Sequence, residues 1–349
     1  MTPENRRALT RLVQHNCHIS DARHGGDYSL CVYLLKMREY YRWEQGLPYG
    51  ASLGKDQVGH WLASREQLWE TLEDAEFAPL PIGDEVFDPF DTEGINQRLA
   101  PHGLAYGGGL GHGAKPHFVL GDLEGTMRHG DYQVLIIARE HARDLTAPPA
   151  MTLGSGITLR RESLRRLLWE KLDTWRWSRP DNALGRAFAC YPFEQDLDGA
   201  LEAMTDREVQ AVLLHEEGEF RAGQLLGDEA WGRLLLDLVQ TPAEIMARAV
   251  RDHLADCLCT LPALARQAEA PPLHFYLGNL TAMRKELFPG LVLAYEDWVR
   301  GGDPGAILDL AERGARHWEQ LAREMLALHV RHAEAAAGPI RQLVMANRL

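Results

Sequence analysis

The chain has no long apolar run, no excess of basic residues and no regular cysteine spacing, and each absence excludes a class of protein. The longest apolar stretches, such as Val134-Leu135-Ile136-Ile137-Ala138, are far too short to cross a bilayer. The first residues, Met1-Thr2-Pro3-Glu4-Asn5-Arg6-Arg7, are polar and lead into an amphipathic pattern, not into a signal-peptide core. No membrane partner is expected. Lys and Arg number 37 against 50 Asp and Glu, a net charge of −13. Nucleic-acid binders carry a basic excess or stripe. Here the local clusters Arg160-Arg161 and Arg165-Arg166 are interrupted by Glu162 and Glu170, so a small-molecule ligand or another protein is the expected partner. The five cysteines, Cys17, Cys31, Cys190, Cys257 and Cys259, are odd in number and form no framework, which predicts reduced thiols in a cytoplasm. Repeats and low-complexity segments are also missing. What is present is an ordinary globular composition, 45% apolar and 25% charged over 349 residues, enough for one large core or two domains.

Hydrophobic periodicity predicts helices over residues 3–15, 28–44 and about 55–75, the last with a capping box at Ser64-Arg65-Glu66-Gln67 as a candidate split point. The stripe of the second helix is Leu30, Leu34, Met37 and Tyr41. Residues 77–96, rich in Pro, Gly and Asp, read as a surface connection. Strand patterns follow between about 98 and 160: His117 to Leu120, Tyr132 to Ala138 after a His129-Gly130-Asp131 turn, and Ile157 to Leu159. Helices return from Ser163 onward. Capping boxes at Thr205-Asp206-Arg207-Glu208 and Thr241-Pro242-Ala243-Glu244 each open one. The predicted fold is α+β, predominantly helical, with one small, mainly antiparallel sheet in the first half. It is read as a single compact unit over 1–349; the alternative is a division into 1–160, helical plus the small sheet, and 161–349, helical. No strand–helix–strand repeat supports a Rossmann-type fold.

One stretch stands out chemically. Asn16-Cys17-His18-Ile19-Ser20-Asp21-Ala22-Arg23-His24-Gly25-Gly26-Asp27 sits between two helical patterns and reads as a connection. Gly25, Gly26 and Asp27 suffice for a turn and a helix cap. Cys17, His18, Asp21 and His24 are not needed for either. Thiolate, imidazole and carboxylate are the usual ligands of zinc or iron, although no standard zinc spacing is matched. The alternative is a polar loop tied down by its own hydrogen bonds.

Three further constellations carry donor groups. In Leu214-His215-Glu216-Glu217-Gly218-Glu219, His215 and Glu219 share a helix face and can present two ligands to one metal, with Glu216 as a candidate general base. The zinc-protease motif needs a second histidine where Glu219 stands, and an exposed i, i+4 pair explains the same residues. In Arg251-Asp252-His253-Leu254-Ala255-Asp256-Cys257, His253 and Cys257 share a face, with Asp256 three residues on. If this helix packs against the Glu219 helix, ligands from both converge. Otherwise Cys257 is core and His253 a surface partner of Asp256. Tyr106 to Phe118 holds five glycines in the seven positions 107–113. Such a loop lets backbone approach a ligand, so Gly109, His112 and Lys115 are candidate cofactor contacts and His117 a candidate metal ligand; a plain flexible loop is the alternative. Glu140, just past the best strand pattern, is a second candidate general base.

No Walker loop and no serine-hydrolase elbow is present; Gly154-Ser155-Gly156 lacks the outer residues. Cys17 to Tyr28, Leu34-Leu35-Lys36-Met37-Arg38-Glu39-Tyr40 and Tyr106 to His117 resemble a bacterial family of conserved hypothetical proteins over the whole chain. The resemblance implies a bacterial cytoplasmic protein and brings no activity. Two functions stay open: a zinc- or iron-dependent enzyme acting on a small molecule, and a non-enzymatic binding or assembly protein. If the stretch from Asn16 is a site, it should face the Gly107–His117 loop or the His215 helix, since none of these alone completes a coordination shell.

Overall fold

The computed structural model describes all residues except 112, 113, 268 and 302. Its internal contacts divide the chain into two compact units, Met1–Glu170 and Lys171–Leu349. The fold is α+β and mostly helical, as the sequence pattern predicts.

In the first unit, helix α1 starts where Thr2 accepts a hydrogen bond from the Asn5 N–H and Pro3 occupies the first turn. It runs Pro3–His24, so the stretch taken for a connection is largely helix. The physical reason is a buried face that continues in polar residues. Leu9, Val13 and Cys17 recur every fourth position, and Asn16, Ser20 and Asp21 lie beside them, all buried. These polar groups serve backbone that would otherwise be unpaired. Asn16 exchanges two hydrogen bonds with Ala78 (2.7 and 2.8 Å), and Ser20 Oγ donates to the Pro116 carbonyl (2.5 Å). Asp21 Oδ1 accepts from the Leu145 N–H (2.8 Å).

Helix α2 (Leu30–Glu44) begins at Ser29, not at an Asp27 cap; Asp27 pairs instead with Lys115 Nζ at 2.9 Å. Only half of its expected stripe is buried. Met37 and Tyr41 are inside, whereas Leu30 is 71% exposed and Leu34 also faces solvent. Helix α3 (Lys55–Glu70) runs unbroken through Ser64, whose hydroxyl bonds back to His60 O within the helix. The expected connection at 77–96 contains a hairpin, β1 (Leu80–Ile82) and β2 (Glu85–Phe87), and most of helix α4 (Thr92–Leu99), capped by Asp91.

The main sheet contains β3 (Leu104–Leu110), β4 (Pro116–His129), β5 (Tyr132–Arg143), β6 (Ala150–Leu153) and β7 (Gly156–Arg160), in the order β3-β4-β5-β7-β6. All neighbours are antiparallel except β5 and β7. The glycine-rich stretch is therefore strand as far as Leu110, and strand resumes at Pro116. Its glycines answer crowding: a Cβ on Gly107 would meet Val119 Cγ1 at 2.9 Å, and one on Gly109 would run into Leu153. Strand β5 also runs past Ala138, so Glu140 lies inside a strand, not at its end. Register shifts between β4 and β5 around Gly121 mark β-bulges that bend the pair. Helix α5 (Arg161–Arg176) follows β7 directly.

The second unit is helical: α6 (Ala183–Ala189), α7 (Leu197–Leu226), α8 (Asp228–Asp237), α9 (Pro242–Ala255), α10 (Leu261–Gln267), α11 (Ala270–Asn279), α12 (Ala282–Leu287), α13 (Pro289–Gly301), α14 (Gly305–His332) and α15 (Ala337–Ala346). Helix α7 is capped by Asp196, and Thr205 lies inside it with its hydroxyl on Leu201 O (2.7 Å), so the expected start at Thr205 is two turns late. Helix α9 opens at the Thr241 cap, as expected. A single π-helical segment, Asp256–Thr260, joins α9 to α10. Helices α7 and α9 pack closely where Gly218 leaves room for the Ala255 backbone. Trp231 and Trp318 are completely buried in this unit's core.

Candidate functional site

The α7–α9 contact brings together the residues with the most chemistry. His215 and Glu219, one turn apart on α7, face Asp252 on α9. One donor atom from each of the three residues lies within 4.8 Å of the other two. Among the described residues, this is the one group of three or more donors so close. His215 Nδ1 is 2.8 Å from Asp256 Oδ1, which leaves the other ring nitrogen for a ligand. Asp256 is fully buried in the π-helical turn, and two more groups hold its second oxygen: Tyr276 OH donates to Oδ2 (2.7 Å), and Arg284 Nη2 forms an ion pair with it. π-Helical segments recur at functional sites, where the wider turn re-aims a side chain.

The electrostatics follow from this packing. Burial alone would lower the pKa of His215, but the Asp256 carboxylate outweighs it and raises it to about 10. Burial raises the Glu219 carboxyl to about 7, with Arg251 opposing and Asp252 reinforcing. Arg251 Nε donates to Glu219 Oε2 (2.7 Å), while Glu219 Oε1 has no hydrogen-bond partner among the described residues. Glu216, also on α7, is mostly buried, and its charge adds to the upward pressure on Glu219. A cavity of about 160 Å³ adjoins His215 and Asp256; its wall includes Glu208, Thr260, Phe275, Tyr276, Asn279 and Arg284.

His253 does not join the site. It is fully buried, stacked on Trp318 (ring centroids 5.0 Å apart) and edge-on to Phe288, with Nε2 3.0 Å from Arg284 O. Burial lowers its pKa to about 3, so it is a neutral core imidazole and not the surface partner expected for Asp256. Cys257 is core as well. The helix turns Asp252 and Asp256 towards α7 instead.

In the first unit the expected residues do approach each other, but without a three-donor cluster among those described. His24 Nδ1 lies 3.4 Å from Asp27 Oδ2, the carboxylate that also binds Lys115, so the 16–27 stretch does meet the segment before β4. Cys17 is completely buried, its Sγ 3.4 Å from Phe118 O, and burial pushes its thiol up, away from the thiolate a metal needs. His18 Nε2 is 2.8 Å from Arg65 Nη1; burial and that guanidinium lower its pKa to about 3. His117 Nδ1 is 3.3 Å from Asp144 Oδ1. Asp21 and Asp144 are buried near each other. Burial and Asp144 push Asp21 up; on Asp144 burial is outweighed by His117 and Arg160, which hold it low. Glu140 is gripped by Arg160 through two hydrogen bonds (2.8 and 3.0 Å) and by Ser163 Oγ (2.6 Å), which occupies both oxygens. His112 lies outside the described residues.

The site's sequence signal is partial. His215 and Glu219 stand out by spacing. Asp252 and Asp256 lie in a noted stretch, but their roles were assigned to its other face. Glu208 reads in the sequence only as the end of a capping box, and Thr260, Tyr276 and Arg284 come from segments with no distinguishing pattern.

Residues 8–160 match the N-terminal domain, and residues 165–347 the C-terminal domain, of a family of unknown function (DUF6866). No curated protein and no solved structure matches the chain. Since the two domain matches together span nearly all of it, the chain belongs to the DUF6866 family.

Proposed function

We propose that the protein is a metal-dependent enzyme acting on a small molecule, with a divalent ion, zinc or iron, held by His215, Glu219 and Asp252. The observation that carries this reading is the approach of the three donor atoms to within 4.8 Å, beside a cavity. One imidazole and two carboxylates form a mixed nitrogen and oxygen set that both ions accept. A histidine ligand whose other nitrogen rests on a carboxylate is the usual supporting arrangement, and Asp256 is that carboxylate here. Such an ion would polarise a bound group or acidify a bound water.

The protein's own groups have separable tasks. Asp256 fixes the orientation and tautomer of His215. Tyr276 and Arg284 fix Asp256. Arg251 occupies one oxygen of Glu219 and leaves the other available. His215 must release its proton to bind an ion, so loading should rise with pH. The net charge of −13 supports a small molecule over a nucleic acid as the substrate. Five unpaired thiols suit a reducing cytoplasm, and among the described residues no helix is long and apolar enough to cross a membrane.

Elemental analysis of protein purified without chelators tests the reading. Zinc or iron should be present at about one per chain. His215→Ala and Glu219→Ala should lose it, while His18→Ala and His24→Ala keep it. Absence of metal from the wild type, or metal unaffected by His215→Ala, overturns the assignment.

A further inference from the structure

We propose that the first unit binds a phosphate group, as inorganic phosphate or as the end of a small phosphomonoester, where Lys36, Arg143 and Tyr49 converge. The site is independent of the metal reading, because all its residues belong to the unit Met1–Glu170.

Two cations in this unit lack an anion. Arg143, on β5, is 1% exposed. A guanidinium so buried is normally paired with a carboxylate. Among the described residues Arg143 makes no ion pair. It has a long hydrogen bond from Nη2 to Glu39 O (3.5 Å), and it lies over Trp43 and Tyr40, 4.7 and 5.4 Å from the ring centroids. The surrounding carboxylates are already engaged. Glu39 pairs with Arg42 (3.0 Å), Glu140 with Arg160 (2.8 Å) and Glu170 with Arg166 (2.5 Å). Asp144 lies against His117 and accepts from the Ala147 N–H. Lys36, on α2, has no ion pair either; its Nζ sits over the Tyr28 ring, 5.2 Å from the centroid.

The packing brings these groups to one place. Lys36, Tyr40 and Trp43 stand at i, i+4 and i+7 on α2, so the ammonium and the Arg143 guanidinium lie along one helix face. Tyr28 OH meets Thr146 Oγ1 (2.7 Å), and Arg166 Nη2 donates to Thr146 O (3.1 Å), which fixes α5 beside them. Tyr49, between α2 and α3, packs its ring on Trp169, three residues after Arg166 on α5 (centroids 5.6 Å apart). The cations feel one another: burial, Arg166 and Arg143 lower the Lys36 amine to about 8. Lys36 Nζ, Arg143 Nη1 and Tyr49 OH have no hydrogen-bond partner among the described residues, and none of them is sealed from solvent as Arg143 Nε is. A water-sized oxygen can therefore reach each one. All three can donate, and two are charged, which suits an oxyanion. A phosphomonoester carries about −1.5 to −2 charges near pH 7 and three acceptor oxygens, and so answers both cations. A carboxylate would answer one.

The test uses inorganic phosphate, methyl phosphate and chloride as probes on the full chain, chelated first so that no metal-bound phosphate contributes. Phosphorus NMR gives the affinities, and hydrogen exchange by mass spectrometry gives the location. Millimolar phosphate should slow exchange in peptides from α2, β5 and α5 and leave those from α7 and α9 unchanged; chloride at equal ionic strength should do neither. Lys36→Gln should weaken phosphate at least about tenfold, the loss of one charged hydrogen bond, while Lys36→Arg, which keeps the charge, should bind within a few-fold of the wild type. Thermal melts establish that each variant is folded. If Lys36→Gln does not fold, Tyr49→Phe decides, since it removes only a hydroxyl and should weaken phosphate severalfold. Methyl phosphate bound at least as well as phosphate identifies a monoester as the ligand, and phosphate bound alone identifies the free ion; either upholds the site. No protection by either phosphate, equal protection by chloride, protection confined to the second unit, or unchanged affinity in the deciding variant overturns the inference. Arg143 is then a guanidinium satisfied by the faces of Tyr40 and Trp43.

Discussion

Asp256→Asn replaces one oxygen at the most heavily used side chain of the site. The carboxylate is fully buried and receives His215 Nδ1, Tyr276 OH and Arg284 Nη2. Asparagine keeps the size and one acceptor oxygen, but its NH₂ must face a donor, and the charge is gone. The Arg284 guanidinium, whose side chain is 13% exposed, then has Asp252 at 3.8 Å as its remaining ion-pair partner in this group. Removing one member of a buried ion pair costs about 3–5 kcal/mol, against about 1 kcal/mol for an ordinary neutral hydrogen bond. The difference is large enough to measure. Hydrogen exchange by mass spectrometry on peptides from α7, α9 and α11 reads the second unit directly. The slowest amides should exchange roughly two to four orders of magnitude faster than in the wild type. Metal affinity should fall about 10- to 100-fold, as for other carboxylates supporting a histidine ligand. Asp256→Asn with Arg284→Met removes the stranded cation and should recover much of the lost protection. A loss below about 1 kcal/mol in the single variant, or no recovery in the double, refutes the claim that charge organises this site.

Two other outcomes follow from the packing and electrostatics. His18 is held neutral, with its pKa lowered to about 3. In the unfolded chain it takes up a proton below about 6.5. Between these values the unfolded state binds more protons, so this residue makes the first unit lose stability as pH falls from about 6.5 towards 3, with no effect above that window. His18→Gln should flatten that part of a stability–pH profile, and an unchanged slope refutes the assignment. Gly218→Ala should destabilise the second unit by about 1–3 kcal/mol, because the new methyl enters the Ala255 backbone. Gly232→Ala, in α8 with open space around it, should be neutral or stabilising by up to about 1 kcal/mol; equal melting shifts for the two would deny the close α7–α9 approach.

Much of the fold was legible because apolar periodicity survives in most elements. The hairpin β4–β5 was marked by its alternation and by Gly130, which takes φ +53° at the turn. The Thr241 cap fixed the start of α9. The failures share one cause. Where buried faces are made of polar or very small residues, composition resembles that of a loop. Asn16, Ser20 and Asp21 continue the buried side of α1 by serving backbone groups from residues 78, 116 and 145, which a sequence window cannot contain. Gly107 and Gly109 belong to a strand because Val119 and Leu153 leave no room for a side chain. Leu30 and Leu34 erred in the opposite direction: an apolar stripe was present, but its first half has no core to enter.

The candidate site shows the same limit at the scale of one residue. Helix α9 and its π-helical turn carry two i, i+4 pairs, Asp252 with Asp256 and His253 with Cys257. Judged by ligand chemistry alone, an imidazole and a thiol outrank two carboxylates. Neighbouring positions on a helix point about 100° apart, so only one pair can face α7. The choice is made by volume. Trp318 stacks on His253, and Gly314 is bare where Cys257 lies, its Cβ position only 2.6 Å from the sulfur. That core accepts the imidazole ring and the thiol, both neutral when buried, and it would reject two carboxylates. The acids are left on the α7 side, where His215, Arg284 and Tyr276 can answer their charge. The proposed ligand set is thus selected by what the hydrophobic core excludes, and the arginine and tyrosine that make the exclusion tolerable lie on other helices, 28 and 20 residues from Asp256.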